Sequence, residues 1–169
     1  MKIAILSDTH NNWPNFKKAI DWITKEKIQL ILHCGDTMGQ EIIDQSKKYF
    51  NGPASAKSFG EAREIKFVKG NADWNLELPE KIELEFNGKR IAFAHFPDIA
   101  KKLAQSGKFD LVFYGHTHRA WDELVLSGVE GKNCHMINPG EMAGQFYKPT
   151  FAVYDTATNK LELKILEKL

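Results

Sequence analysis

The chain has 169 residues, with six histidines, two cysteines and a formal net charge of +1. This length suits one domain with a real core, so we expect residues 1–169 to form a single domain. The near-zero charge argues against a protein drawn to nucleic acid or membranes by its overall field. Two distant cysteines argue against a disulfide framework. Without a secretion signal or a long apolar run, we expect a cytoplasmic protein with no membrane partner.

The first half of the chain alternates strand and helix patterns. Apolar runs typical of buried strands occupy residues 2–7, 29–34 and 65–69. Helices are predicted after Asn12, a residue type that caps helices, and over about residues 40–50. The order strand, helix, strand predicts βαβ units and a sheet with parallel strands.

The second half has shorter patterns and more turns. Residues 51–62 are rich in glycine, alanine and serine and are predicted to form a loop, either a lid or merely exposed. Asn87-Gly88 predicts a hairpin, and a helix is expected over about 98–106. The strands predicted here are 82–86, 90–95, 110–114, 122–127, 134–137, 150–155 and 161–166. We therefore expect an α/β fold with a largely parallel half and a more antiparallel half, in two sheets packed under outer helices.

Several predicted strands end in polar residues that can bind metal ions. In an open α/β sheet the C-terminal ends of the strands share one rim, where ligands commonly bind. In an extended segment, residues i and i+2 point the same way, so His116 and His118 are expected to aim at one place. The candidate metal ligands are Asp8, His10, Asp36, Asn71, His95, His116 and His118.

The mixture of donors indicates the kind of metal site. Imidazole, carboxylate and amide groups together suit Mn, Fe, Zn, Ni or Co, whereas oxygen alone would favour Mg or Ca. Seven donors exceed one ordinary site but suit two ions that share a carboxylate, an arrangement that assists phosphoryl transfer. We expect His116 and His118 to bind one ion each. Each motif alone is weak, since a Gly-Asp pair is more often a turn.

The ordered blocks Asp-x-His, Gly-Asp, Gly-Asn-x-Asp, His and Gly-His-Thr-His, over residues 8–118, resemble the calcineurin-like metallophosphoesterase superfamily. The short chain and its GNAD block are similar to small prokaryotic phosphodiesterases related to a retromer subunit with this fold. The resemblance implies a four-layer α/β/β/α sandwich of two mixed sheets, the metallo-dependent phosphatase fold. It also implies hydrolysis of phosphodiesters by a hydroxide that bridges two divalent ions, Mn first, with Ni, Fe, Zn, Co or Mg as alternatives.

The resemblance also implies roles for individual residues. One ion would be held by Asp8, His10 and His118, the other by Asn71, His95 and His116, with Asp36 between them. The predicted catalytic residues are Asp36, Asn71 and Asp73, of which Asp73 could orient a ligand. The candidate substrate contacts are Asn12 and Arg119, although Asn12 could be only a helix cap and Arg119 only a surface residue. His33 and His135 are expected to be structural.

Two positions depart from the family pattern. Many relatives have Gly-Asn-His where this chain has Ala72, which can neither protonate a leaving group nor stabilise phosphoryl oxygens. General acid catalysis is typically worth ~10²–10⁴-fold. We therefore expect hydrolysis of phosphodiesters or activated aryl esters and weak activity on alkyl phosphomonoesters. After His95 the chain has Phe96-Pro97-Asp98 where relatives often show Gly-His, so a substrate contact is expected to be missing.

Three functions remain open from the sequence. The first is a phosphodiesterase for a small phosphodiester substrate, and exposed apolar segments make a homodimer a further candidate. The second is an interaction module, catalytically weak or inactive, which Ala72 keeps open although all seven ligand positions are filled. The third is a nuclease, but neither the net charge nor a basic and aromatic stripe supports a dedicated nucleic-acid groove.

Overall fold

The computed structural model describes residues 1–52, 63–129 and 132–169, so most of the predicted loop 51–62 lies outside the described residues. The strands are β1 (Lys2–Leu6), β2 (Leu30–His33), β3 (Glu64–Phe67), β4 (Lys81–Phe86), β5 (Lys89–Ala94), β6 (Leu111–Phe113), β7 (Trp121–Leu126), β8 (Asn133–Asn138), β9 (Thr150–Asp155) and β10 (Lys160–Ile165). The α-helices are α1 (Trp13–Lys25), α2 (Gln40–Asn51) and α3 (Pro97–Gln105), and a 3-10 turn covers Leu166–Lys168.

The strands form two five-stranded sheets, in the orders β10-β9-β1-β2-β3 and β4-β5-β6-β8-β7. As predicted, the strands of the first half of the chain, β1 to β3, pair in parallel, and most pairs that involve later strands are antiparallel, so that both sheets are mixed. In the first sheet β1 runs parallel to β2 but antiparallel to β9. In the second sheet β5, β6 and β8 are parallel, while β4 and β7 are antiparallel edges. Strand β1 is buried, so its backbone N–H and C=O groups need hydrogen-bond partners along both edges, and β2 and the late strand β9 supply them.

Three apolar layers separate the sheets and helices. Successive residues of β1 alternate between them: Ile3 and Ile5 face the second sheet, whereas Ala4 and Leu6 face α1 and α2. The third layer lies between the second sheet and α3, where Val112 contributes. The predicted four-layer α/β/β/α sandwich is therefore confirmed, while the extent of the domain, residues 1–169, stays a prediction.

Local signals in the sequence explain where elements begin and turn. The Asn12 side chain accepts a hydrogen bond from the Asn15 N–H at 3.2 Å and so caps α1, as predicted. Asn87 and Gly88 have φ of 50° and 74°, the left-handed pair that a two-residue hairpin requires. Within the described ranges, no helix combines the length and apolar character needed to cross a bilayer.

The loops that follow β1, β2, β3, β5 and β6 meet at one rim formed by both sheets. Backbone hydrogen bonds join them, from Asp8 N–H to the Gly35 carbonyl at 3.0 Å and from Gly115 N–H to the His95 carbonyl at 3.1 Å. Gly115 allows this close approach, because a side chain there would overlap Ser7 and contact Asp8. The fold thereby brings residues distant in sequence to a single site.

Candidate metal centre

The candidate ligands lie in tight loops beyond the strand ends. Among the described residues, the non-glycine positions with positive φ in these loops are Asp8, His10, Asn11, Asp36, Met38, His116 and His118. Such backbone costs on the order of 1–3 kcal/mol per residue and concentrates at functional sites. The expectation that His116 and His118 share an extended segment is wrong, since their φ values are 69° and 60°. Their side chains contact different neighbours.

The His118 side chain lies next to Asp8 and His10. The Asp8 Oδ1 atom lies 3.5 Å from His118 Nε2 and 3.9 Å from His10 Nε2, and the two imidazole rings stack at 5.1 Å. Asp8 Oδ1 and His10 Nε2 are buried without a hydrogen-bond partner among the described residues. A buried polar atom left unpaired costs about 1–3 kcal/mol. A cation would satisfy both atoms, so these donors fit a metal ion.

The His116 side chain lies next to Asn71 and His95. The Asn71 Oδ1 atom lies 2.8 Å from His116 Nδ1 and 3.0 Å from His95 Nε2. His95 Nδ1 donates to the Cys34 carbonyl at 2.8 Å, so its Nε2 carries a lone pair towards Asn71. Two acceptors that face each other favour a bound cation. Burial lowers the pKa of His95 and keeps the ring neutral, the form that binds metals.

Asp36 lies between the two groups. Its Oδ2 atom is 3.7 Å from His10 Nε2 and 3.5 Å from His95 Nε2. Its Oδ1 atom accepts the Ala72 N–H at 2.7 Å, which fixes the carboxylate orientation. Ligand atoms of Asp8, Asp36 and His95 all lie within 4.8 Å of one another. This position supports the predicted shared role of Asp36.

Asp73 is buried and ties two loops of the site together. Its carboxylate accepts the backbone N–H groups of Asp36 at 2.8 Å, Met38 at 2.8 Å and Gly70 at 3.0 Å, and the Thr37 hydroxyl at 2.9 Å. Although burial opposes ionisation, these hydrogen bonds lower the pKa of Asp73. The contacts support a positioning role, and direct catalysis by Asp73 stays a prediction.

The two candidate substrate contacts have other neighbours. Asn12 caps α1 and donates through Nδ2 to the Ala143 carbonyl at 2.9 Å. Arg119 is exposed, with its guanidinium 5.6 Å from the Trp121 ring centre. The helix cap accounts for Asn12 without a substrate, whereas a substrate contact by Arg119 stays a prediction.

The remaining histidines have structural partners. His33 is fully buried, and its Nε2 atom lies 2.7 Å from the Thr9 hydroxyl. Burial lowers the pKa of His33 to about 3, so this ring is neutral. His135 Nε2 lies 3.0 Å from Asp122 Oδ2 across strands β7 and β8. Both sets of contacts agree with the structural roles expected from the sequence.

Glu141 is a site residue that the sequence reasoning missed. It is fully buried, and its carboxylate accepts His118 Nδ1–H at 2.9 Å and the backbone N–H groups of Gln145, Phe146 and Tyr147. Although burial would raise the pKa of Glu141, these donors lower it. The bond to Nδ1 directs His118 Nε2 towards Asp8. The available signal was a lone acidic residue within the apolar and small residues of INPGEMAG.

Metal binding is expected to depend on pH through Asp8. Burial, partly offset by His118, raises the pKa of Asp8 from 3.8 to about 7. Between these values the folded protein holds a proton that the unfolded chain has released. The metal-free protein should therefore lose stability as the pH rises from about 4 to about 7.

A bound ion must displace that proton. We expect Mn²⁺ affinity to rise by up to about tenfold per pH unit below pH 7 and then to level off. Calorimetric titrations at pH 5, 6, 7 and 8, with urea unfolding of the chelated protein, measure both effects. An affinity that is constant between pH 5 and pH 7 would show that Asp8 holds no such proton.

Comparison with known proteins identifies relatives along the whole chain. The profile of the calcineurin-like phosphoesterase superfamily domain matches residues 1–159. Phosphodiesterase MJ0936 of Methanocaldococcus jannaschii is 30% identical over 172 aligned residues, which cover 99% of this chain and 100% of that protein. A probable metallophosphoesterase of the same organism, MJ0623, is 31% identical over 83% of this chain and 67% of its own length.

Solved structures share the fold. One described as a novel archaeal phosphodiesterase has a TM-score of 0.80 at 27% identity, covering 98% of this chain and 99% of that chain. Vps29 of Chaetomium thermophilum has a TM-score of 0.68 at 18% identity, covering 98% of this chain and 92% of that chain, which shows the fold alone. With its two mixed sheets and a family match over residues 1–159, the chain belongs to the calcineurin-like phosphoesterase superfamily.

Proposed function

We propose that this chain is a phosphodiesterase that uses two divalent metal ions to hydrolyse small phosphodiesters. The family and its phosphodiesterase relative support phosphoesterase activity, and the family is metal-dependent. The observation that carries the finer proposal is the position of Asp36. Its Oδ2 atom lies within 3.7 Å of imidazole nitrogens from both groups, His10 on one side and His95 on the other.

The proposed ligands divide between the two ions. One ion would be held by Asp8, His10 and His118, the other by Asn71, His95 and His116, and both by Asp36. Mn is the first candidate for this mixed donor set, with Ni, Fe, Zn, Co or Mg as alternatives. When bound, the pair would acidify a shared water towards a bridging hydroxide and neutralise charge on the phosphoryl group.

The protein residues orient the site and leave one side of it open. Glu141 and the Cys34 carbonyl fix the rings of His118 and His95 with Nε2 towards the carboxylates. Asp36 and His95 are buried, whereas Asn71 and His116 are exposed, so a substrate phosphate would approach from the Asn71 side.

The position of Ala72 limits which leaving groups depart easily. Its N–H donates to Asp36 Oδ1, and its methyl side chain offers no proton to a leaving group. The leaving group must therefore be stable as an anion, as an aryl oxide is. This favours activated diesters over alkyl phosphomonoesters.

Hydrolysis of bis(4-nitrophenyl) phosphate tests the proposal. Protein stripped with a chelator should be inactive, and Mn²⁺ should restore turnover, with 4-nitrophenyl phosphate cleaved more slowly. His95→Ala should lose metal-dependent turnover, whereas the control His135→Ala, which removes a histidine paired with Asp122 on other strands, should keep it. Absence of metal-dependent turnover, from protein shown by elemental analysis to hold two ions, would refute the proposal.

An interaction module with weak activity is the second candidate. Strand β7 lies at the edge of the second sheet, and its Leu124 and Leu126 are 69% and 77% exposed. Exposed apolar residues on an edge strand can pair with another chain, including a second copy of this one. Light scattering that detects a dimer, together with no turnover of any ester, would favour this function over the first.

A further inference from the structure

An exposed aromatic ring stands at the edge of the candidate metal centre. Phe146 is 73% exposed, and its ring centre lies 4.9 Å from that of His118, with the two planes at 89°. His118 in turn lies 3.5 Å from Asp8. The phenyl ring therefore offers apolar surface beside a proposed metal ligand.

The segment that carries this ring is fixed by a buried charge. Glu141 accepts hydrogen bonds from three consecutive backbone N–H groups, those of Gln145, Phe146 and Tyr147. The same carboxylate accepts a hydrogen bond from His118. One side chain thus sets both the imidazole and the backbone of the neighbouring phenyl residue. A phenyl ring whose backbone is fixed in this way, and which packs edge-on against His118, loses less entropy when a partner stacks on it.

A second ring lies at the other group of proposed ligands. The Phe96 ring centre is 5.1 Å from that of His95 and 5.2 Å from that of His116. Phe96 is half-buried and packs on these imidazoles, whereas Phe146 remains largely exposed. Of the two rings, Phe146 has the larger surface available to a substrate.

We propose that Phe146 stacks on a nucleobase, so that the preferred substrates are small nucleotide diesters. This inference rests on the proposed phosphodiesterase function and adds its substrate class. A nucleobase is planar and stacks on aromatic side chains, whereas the glycerol of a glycerophosphodiester offers no such face. A net charge of +1 favours a small nucleotide over a long polynucleotide, whose binding needs many basic contacts.

Two esters with the same leaving group isolate the contribution of the base. Thymidine 5′-(4-nitrophenyl phosphate) and ethyl 4-nitrophenyl phosphate both release 4-nitrophenolate when water adds to phosphorus and the aryl P–O bond breaks. We expect Mn-loaded protein to favour the thymidine ester in kcat/KM by about tenfold, the scale of one stacked base. Phe146→Leu should bring the ratio of the two kcat/KM values towards one, and Phe146→Trp should keep it.

The ratio cancels any change in metal loading, because both esters use the same centre. The matched control is Tyr147→Leu, which removes an exposed neighbouring ring that makes no ring contact with a candidate ligand among the described residues. This variant should keep the wild-type ratio. Calorimetry gives an equilibrium readout. In Phe146→Leu the Kd for thymidine 5′-monophosphate should rise by about tenfold, and the Kd for ethyl phosphate should rise by much less.

Each result separates the inference from the function on which it rests. Turnover of both esters with no wild-type preference, or a preference unchanged in Phe146→Leu, would overturn the role of Phe146 and leave the phosphodiesterase intact. No turnover of either ester by protein loaded with two ions would overturn the proposed function and this inference together.

Discussion

Replacing Asp36 with alanine is expected to remove bound metal and to lower kcat/KM for bis(4-nitrophenyl) phosphate by about 10³-fold or more. Asp36 is 2% exposed and lies between His10 and His95, so its loss would affect both proposed ions. Metal ions supply several kcal/mol of transition-state stabilisation, and each 1.36 kcal/mol is a factor of ten in rate. Elemental analysis and initial rates on the same preparation measure the two effects.

Two further variants distinguish a loss of metal binding from a defect in folding. Asp36→Asn keeps the size of the side chain and an oxygen that can accept the Ala72 N–H, while removing the negative charge. Asp122→Ala removes an exposed carboxylate on β7, outside the centre, and should keep both metal and turnover. If Asp36→Asn retained two ions and full turnover, Asp36 could not be the shared ligand.

Replacing Ala72 with histidine is expected to speed hydrolysis of esters with alkyl leaving groups by about 10²-fold or more, within the range of general acid catalysis. Ala72 is half-buried, and its N–H contacts Asp36, so an imidazole at this position would stand beside the centre. Aryl oxides need no proton to depart, so rates for 4-nitrophenyl esters should change far less. Steady-state rates for matched alkyl and aryl diesters give the comparison.

The pH profile separates proton donation from a change in shape. A donating imidazole should make the alkyl rate fall as the pH rises through its pKa, ordinarily about 6.5. Ala72→Leu adds bulk without a proton and should give no gain. Equal gains on alkyl and aryl esters, or a gain in the leucine variant, would show that the missing histidine does not explain the expected preference.

Much of the fold follows from local patterns in the sequence. The hairpin at Asn87-Gly88, the Asn12 cap and the apolar strands all come from short-range physical preferences. The sheet order does not, because it depends on which distant strands pair. The antiparallel partner of β1 is β9, whose Tyr154 pairs with Ile3. Nothing local to either strand specifies that pairing, so the sequence predicts a largely parallel and a more antiparallel half but not the order of strands within each sheet.

The sequence predicted the identity of the candidate site residues better than it predicted their geometry. Strand-end polar residues pointed to the seven candidate ligands, and the fold brings them together. The geometric reason offered for His116 and His118 was wrong, since left-handed turns place them against Asn71 and Asp8 respectively. Glu141 was missed because it meets His118 across 23 positions of sequence, a contact that no local spacing encodes.

Anomalous diffraction from crystals of the Mn-loaded protein tests the shared-carboxylate centre most directly. The expected result is two manganese peaks, one bound by Asp8, His10 and His118, the other by Asn71, His95 and His116. Asp36 should coordinate both. A single peak, or two peaks of which only one contacts Asp36, would contradict the proposed two-metal centre.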